Sequence, residues 1–494
     1  MFDFRHYLKR IGEYGEVVGV KDTVVLVEGL PTAKLNEVVL FEQGVVGQVA
    51  TINEDNCQIV VLDKLLPDVG EKVVRTDDFL SVPIGEDLLG KMIDPLGRVI
   101  YPQGKISGGD KVVLNRENSQ VIWDRKKITE SLLTGVTLVD MLMPIGKGQK
   151  ELVIGERKTG KTAFLLTTVK NQIKSNGIII FCVIGKKKTD VKNLLNYFQE
   201  QKIMDKIVFI STLSDDSPSL IHLAPFTAMA IAEYYKDRGL DSLVILDDLS
   251  THARYYRELS LLNNKFPGRE SYPGDIFYLH ASLLERAGNF RKPDNANLKF
   301  EISNLKLKQK DTVSITCLPV AEVIEGDFTG HITTNLMGIT DGHIFFDRSI
   351  FAKGRRPAIN LMLSVTRVGR QTQSKLLQEI NNKITAFLSD YESVKNLTHF
   401  GAELSPEVKD SIERGRRLER VLEQRYDEVI DLKSQILLLT VAFGKEFFQW
   451  DVDEVRLKIF KEELDDSILE VNSFSELKKK VLEYINNKFA KAKR

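Results

Sequence analysis

The octapeptide Gly155-Glu156-Arg157-Lys158-Thr159-Gly160-Lys161-Thr162 constrains this chain more than any other stretch. It follows the apolar run Glu151–Ile154 and precedes Thr162–Lys170, which has helical spacing. An apolar strand, a glycine-rich loop and a helix in that order make a P-loop. The chemistry accounts for the spacing. Glycines let backbone N–H groups turn inward around phosphate oxygens, and the helix N-terminus adds a positive dipole. Lys161 is placed to reach the β- and γ-phosphates, and Thr162 to ligate Mg2+. Gly155, Arg157, Lys158, Thr159, Gly160 and Ala163 are the remaining residues expected to cradle ATP or ADP.

A hydrated Mg2+ also needs a carboxylate. Ser242–Asp248 is an apolar strand ending in two acids, and ligands of parallel sheets sit at the carboxyl ends of strands. Asp247 is therefore expected to hold the ion, through water. A helix cap is the competing role for this acidic pair, and it suits Asp248 better.

The rest of the chain reads as three segments. Residues 1–84 hold short Val-rich strands separated by Gly, Asn and Asp, such as Thr23–Val27, Glu37–Phe41 and Val45–Ile52, which predicts a small β-barrel. Over 85–370, buried-strand runs alternate with helical segments. This is the pattern of an α/β P-loop (RecA-like) nucleotide-binding domain with a mainly parallel sheet. Over 371–494 there is one proline, Pro406, and apolar residues recur at helical spacing, as in Leu376, Ile380, Ile384 and Phe387; an α-helical domain is expected.

Composition narrows the function. Lys+Arg and Asp+Glu both number 69, so no basic excess invites nucleic acid or an anionic membrane. The 3 cysteines, Cys57, Cys182 and Cys317, are scattered and odd in number, which suits a reducing cytoplasm rather than a disulfide framework. Apolar runs such as Ile436–Phe443 fall far short of the ~20 residues that cross a bilayer. Any membrane role is expected to run through partners.

With these residues in place, the chain resembles the alpha subunit of F-type ATP synthases along nearly its whole length. Pro144-Ile145-Gly146-Lys147-Gly148-Gln149 looks like the family's lead-in to the P-loop. Pro267–Asp275 with Leu283–Arg286, Ile339–Ile344, Arg356–Asn360 and Ser364–Gly369 follow in family order. The resemblance implies a ring of six alternating alpha and beta chains around a central gamma-type shaft. It also implies a barrel crown, a helical base, and a membrane sector or other load reached through partners, on the cytoplasmic face.

Single residues separate alpha-type from beta-type chains. Catalytic beta-type chains carry a Glu after the strand that follows the P-loop helix, where it polarises the attacking water. Here Val183-Ile184-Gly185-Lys186 occupies that place, and a lysine offers no acceptor. Alpha-type chains usually carry Gln, so Lys186 departs from both. The plainer reading makes it part of a solvated run, Lys186–Lys188. The resemblance gives Arg367 the role of an arginine finger toward the neighbouring catalytic subunit; outside the family it would read as a surface salt-bridge partner. Phe351, Arg356 and Pro357 match positions near the adenine, and Gln424 lies in a segment shorter than the usual one.

Two further departures argue against an ordinary housekeeping subunit, and the richness in Lys, Asn and Ile suggests an AT-rich genome, as in mollicutes that carry duplicated F-type-like ATPases. Only about a dozen residues precede the barrel, where alpha chains have a longer extension. A Lys/Asn-rich insertion, 291–310, replaces a short Gly-rich link, and Leu298, Phe300 and Ile302, then Leu305 and Leu307, alternate with polar residues on either side of Ser303-Asn304, which predicts a hairpin. Competing readings are a self-sufficient homohexameric ATPase (an export ATPase or Rho-like translocase) and a structural ring member without nucleotide. The missing acid counts against the first, and the intact Gly160-Lys161-Thr162 against the second.

Overall fold

Six strands near the N-terminus close on themselves: β1 Tyr14–Lys21, β2 Val24–Glu28, β3 Glu37–Phe41, β4 Val46–Ile52, β5 Cys57–Val61 and β6 Lys72–Phe79, in the order β1-β2-β5-β4-β3-β6. The computed structural model describes residues 3–107, 110–114, 124–175, 177–293, 311–397, 405–460, 470–471 and 473–490. Along a strand every second residue points inward. Val17, Val25, Val27, Val39, Val49 and Ile59 fill the interior at 1% exposure or less. Each such burial contributes about 1.5–3 kcal/mol. A buried ion pair, Arg75 to Glu37 at 3.1 Å, sits among them and is completed by Glu13.

The chain forms two compact units that are discontinuous in sequence: Met1–Lys126 with Asn176–Glu322 and Asp327–Thr340, and Lys127–Ser175 with Val323–Gly326 and Asp341–Arg494. The first holds the barrel and a sheet ordered Thr312–Glu322, Ser242–Asp247, Ile178–Lys186, Ile207–Leu213, Met92–Ile93, Val99–Tyr101. All neighbours are parallel except Val99–Tyr101, and Gly288–Arg291 adds antiparallel to Thr312–Glu322. These parallel strands read as continuous apolar runs because both faces are covered, as in Ile178–Ile184, buried throughout. Thr312–Glu322 is not flagged by its sequence, since Pro319 interrupts the pattern of a central strand.

The second unit holds the P-loop strand and helix and the C-terminal helices. Glu151–Gly155 pairs parallel with Gly342–Phe346, which pairs antiparallel with Val365–Thr366. Lys375–Leu397, Pro406–Leu422, Leu432–Phe443, Val452–Ile459 and Phe474–Ala490 form the helical part. Leu376, Ile380, Ile384 and Leu388 bury one stripe of Lys375–Leu397 at intervals of four. Phe387 instead lies half-buried, its ring edge-on to Phe443 at 5.6 Å. Asp140 ties these helices to the nucleotide-binding part: its carboxylate accepts from Gly135 N at 2.9 Å and from Gln435 Nε2 at 2.9 Å. Among the described residues no helix is long and apolar enough to cross a membrane.

Candidate nucleotide site

The second unit carries the phosphate cradle. The P-loop strand ends at Gly155, and the helix Lys161–Lys174 begins after Gly160, which is left-handed at φ 102°. A Cβ on Gly155 would lie 2.4 Å from the carbonyl oxygen of Phe346, its register partner on the neighbouring strand. Glycine is therefore required by the close approach of the two strands. Lys158 also has positive φ, 61°, a left-handed turn inside the loop.

Lys161 Nζ donates to the carbonyls of Gly155 and Glu156, both at 2.6 Å, which holds the ammonium at the mouth of the loop. Phosphate oxygens are acceptors of the same kind. Thr159 Oγ1 donates to Glu156 O at 2.7 Å and braces the turn. Arg157, Lys158 and Thr162 face solvent, while Ala163 is half-buried. A hydroxyl at the second helical position is a hard oxygen donor, so Thr162 fits a small divalent cation.

The structure brings three of the four adenine candidates into one cluster. The Arg356 guanidinium stacks 3.4 Å over the Phe351 ring and donates to Phe351 O at 2.8 Å. Gln424 N–H donates to Arg356 O at 2.8 Å. The Gln424 side chain is buried and committed to backbone: it donates to Gly135 O at 2.6 Å and Glu428 O at 2.5 Å, and accepts from Thr137 N at 3.0 Å. Its position is that of a clasp between loops. Pro357 is half-buried next to the cluster in sequence.

Arg367 follows the strand Val365–Thr366. Its N–H donates to Asp341 O at 3.1 Å, and its side chain is exposed. Thr366 Oγ1 donates to Pro144 O at 3.0 Å, which pins the segment beside it.

Asp247 and Lys186 belong to the first unit. Asp247 ends its strand, as its sequence predicts, and is 5% exposed. Lys186 Nζ lies 2.9 Å from Asp247 Oδ1 and 3.4 Å from Asp248 Oδ2. The solvated-run reading of Lys186 fails here: it ends the strand Ile178–Lys186 with a side chain only 24% exposed. Burial pushes its ammonium down, but Asp247, Asp248 and Glu322 outweigh that and hold it well above the ordinary lysine range. Gly185, at φ 59°, makes the turn possible, since a Cβ would meet the Tyr255 ring at 2.8 Å. Asp248 caps the helix Leu249–Leu262 by accepting from Thr251 N at 2.6 Å, as expected for the second acid.

Two features escaped the sequence. Glu151, the first residue of the P-loop strand, is fully buried. His222, His252 and His280 cluster in the first unit, with His252 Nδ1 3.1 Å from His280 Nε2 and His222 stacked on His252 at 5.0 Å. Neither has a local motif; the only signal for Glu151 is an acid opening an otherwise apolar strand. The predicted hairpin at Leu298–Leu307 lies outside the described residues.

Comparison with known proteins agrees with this layout. Residues 135–366 match the family described as ATP synthase alpha/beta family, nucleotide-binding domain, and 373–492 match the ATP synthase alpha/beta chain, C terminal domain. ATP synthase subunit alpha of Acholeplasma laidlawii (strain PG-8A) is 36% identical over 476 residues, 96% of this chain and 91% of that protein. The subunit alpha of Neorickettsia sennetsu is 37% identical over 450 residues, 89% and 85% of the two chains. That of Dictyoglomus thermophilum is 37% identical over 454 residues, 92% and 86%.

Proposed function

From the premise that this chain belongs to the ATP synthase alpha/beta family, we propose that it is a nucleotide-holding, non-catalytic alpha-type subunit of a hexameric rotary ATPase. The observation that carries this reading is Lys186. It stands where catalytic chains place the water-orienting Glu, and its ammonium is engaged by Asp247 and Asp248. A group that is cationic and already paired cannot accept a proton from water or orient it.

In this reading the P-loop holds ATP or ADP, with Lys161 on the phosphates and Thr162 on Mg2+. Bound Mg2+ neutralises phosphate charge. Asp247 enters as the carboxylate of the ion's water shell, and its pairing with Lys186 lowers the net charge it offers. Phe351, Arg356 and Pro357 form the adenine side, with Gln424 as the clasp behind them. Arg367, exposed and rooted in backbone hydrogen bonds, is assigned as the finger that acts in trans on ATP bound to a beta-type neighbour.

Segments 1–84, 85–370 and 371–494 then serve as crown, nucleotide domain and base of a ring. The partners are a catalytic beta-type subunit, a central gamma-type shaft, and a load reached through them at the cytoplasmic face of a membrane. The deciding test is equilibrium binding and turnover by the purified chain. We expect Mg-ATP and Mg-ADP to bind with negligible hydrolysis. Robust turnover abolished by Lys161→Ala in the same preparation would overturn the non-catalytic assignment.

A further inference from the structure

Lys186 has a fixed place in the sheet of the first unit. Its strand, Ile178–Lys186, runs parallel to Ser242–Asp247 with Val183 opposite Asp247. It also runs parallel to Ile207–Leu213, where the register shifts between Val183 and Lys186 and sets Lys186 opposite Leu213. Backbone bonds hold the strand on both sides of that shift. Gly185 N donates to Thr212 Oγ1 at 2.9 Å, and Lys186 O accepts from Ser214 N at 2.9 Å. A register irregularity of this kind re-aims a side chain. Here the ammonium lies 2.9 Å from Asp247 Oδ1 and 3.4 Å from Asp248 Oδ2.

The two acids are not equivalent. Asp248 Oδ1 accepts from Thr251 N at 2.6 Å, at the N-terminus of Leu249–Leu262, where the helix dipole favours negative charge. Asp247 has the closer contact with the ammonium and ends its strand at 5% exposure. A carboxylate serves a hydrated Mg2+ through its negative charge and its acceptor oxygens. An ammonium on the same carboxylate takes up one oxygen, matches the charge and repels a dication. Thr162 suits the ion, but Asp247 in this state suits its water shell poorly.

We propose that Lys186 is a specificity-determining residue of this chain's nucleotide site, and that it lets the site hold ADP or ATP nearly as well without Mg2+ as with it. The inference deepens the reading of the chain as a nucleotide-holding subunit and rests on the assignment of Asp247 to the metal's water shell. A free acid in that role repels polyphosphate until the metal neutralises phosphate charge. The fixed ammonium of Lys186 removes that repulsion permanently, and with it most of the gain from binding the ion. The site then selects for the nucleotide rather than for its metal complex.

The experiment is equilibrium binding of ADP to the purified full-length chain, in MgCl2 and in EDTA, with folding checked by circular dichroism. Wild-type affinity is expected to differ less than about threefold between the two media, and Lys186→Gln should open the difference to roughly tenfold in favour of Mg2+. Lys186→Arg keeps the charge and should behave as wild type. A wild-type preference for Mg2+ as large as that of Lys186→Gln overturns the proposal. So does a Lys186→Arg chain that behaves like Lys186→Gln. Absence of ADP binding by the wild type in both media removes the nucleotide-holding reading itself. If the glutamine variant does not fold, Asp247→Asn decides. Freeing the ammonium from its acid should tighten binding of metal-free ADP several-fold, and unchanged or weaker affinity refutes the role of Lys186.

Discussion

Lys186 is the residue on which the proposed non-catalytic assignment rests. Its ammonium pairs with two buried carboxylates, so removing it takes away a positive charge that both rest against. Lys186→Met should cost the isolated chain about 3 kcal/mol, the low end for breaking a buried pair because the side chain keeps some exposure. The pH dependence has a definite sign. The folded state holds the lysine above its ordinary value. Its contribution is therefore complete below the unfolded value of ~10.4 and fades as pH rises beyond that. Urea unfolding of both proteins at neutral and strongly alkaline pH tests this. A gap that is absent at neutral pH, or that grows in alkali, refutes the pairing.

At the scale of elements, the first unit joins three helices through an imidazole cluster that is buried at His252 and His280 and half-buried at His222. His222, His252 and His280 lie on Pro218–Asp237, Leu249–Leu262 and Ile276–Leu284. Burial holds His252 down to about 4, with the His222 backbone carbonyl and Asp248 opposing, and holds His222 and His280 well below the usual value. The unfolded chain therefore takes up protons from ~6.5 downward while the folded chain stays neutral. Stability is lost as pH falls through that window, by about 3 kcal/mol from His252 alone once pH reaches about 4. Denaturant unfolding at several pH values should show this slope, and His252→Gln should flatten it. An unchanged slope in the variant would falsify the assignment. The P-loop strand pair is a second element where packing decides. Gly155→Ala forces a Cβ against Phe346 O and should weaken nucleotide binding even though no charge changes. Calorimetric titration with Mg-ADP reads the effect, and wild-type affinity would show that the two strands can part at no cost.

At the scale of the whole molecule, the proposed assignments separate holding a nucleotide from cleaving one. In an assembled ring, Arg367→Ala should lower turnover by roughly 10³–10⁵ while assembly and nucleotide occupancy survive, since the P-loop is untouched. Arg367→Lys keeps the charge but loses the planar fork and should also be severely impaired. Lys161→Ala should do the reverse, emptying this chain's site while the ring retains substantial activity. Turnover assays paired with bound-nucleotide analysis on the same rings distinguish the two. Near wild-type turnover in Arg367→Ala rings returns that residue to an interface salt bridge, and complete loss in Lys161→Ala rings makes this chain's site catalytic.

Much of this was legible in the chain itself, for local reasons. The P-loop is a contiguous motif whose backbone demands are written in Gly155, Gly160 and Lys161. The barrel and the sheet announce themselves through alternating and continuous apolar runs. Asp248 reads as a cap from its place before Leu249. What tertiary structure alone decided are pairings between segments far apart in sequence. Lys186 looks like one of three solvated lysines until its strand is laid beside Ser242–Asp247, which sets its ammonium on Asp247. Gln424 looks like a ligand contact until its amide is spent on Gly135, Thr137 and Glu428. Glu151 looks like a strand end until Gly342 and Val365 close over it. In each case side-chain chemistry was fixed by residue type, whereas its partner was chosen by strand register and burial, which no local window contains.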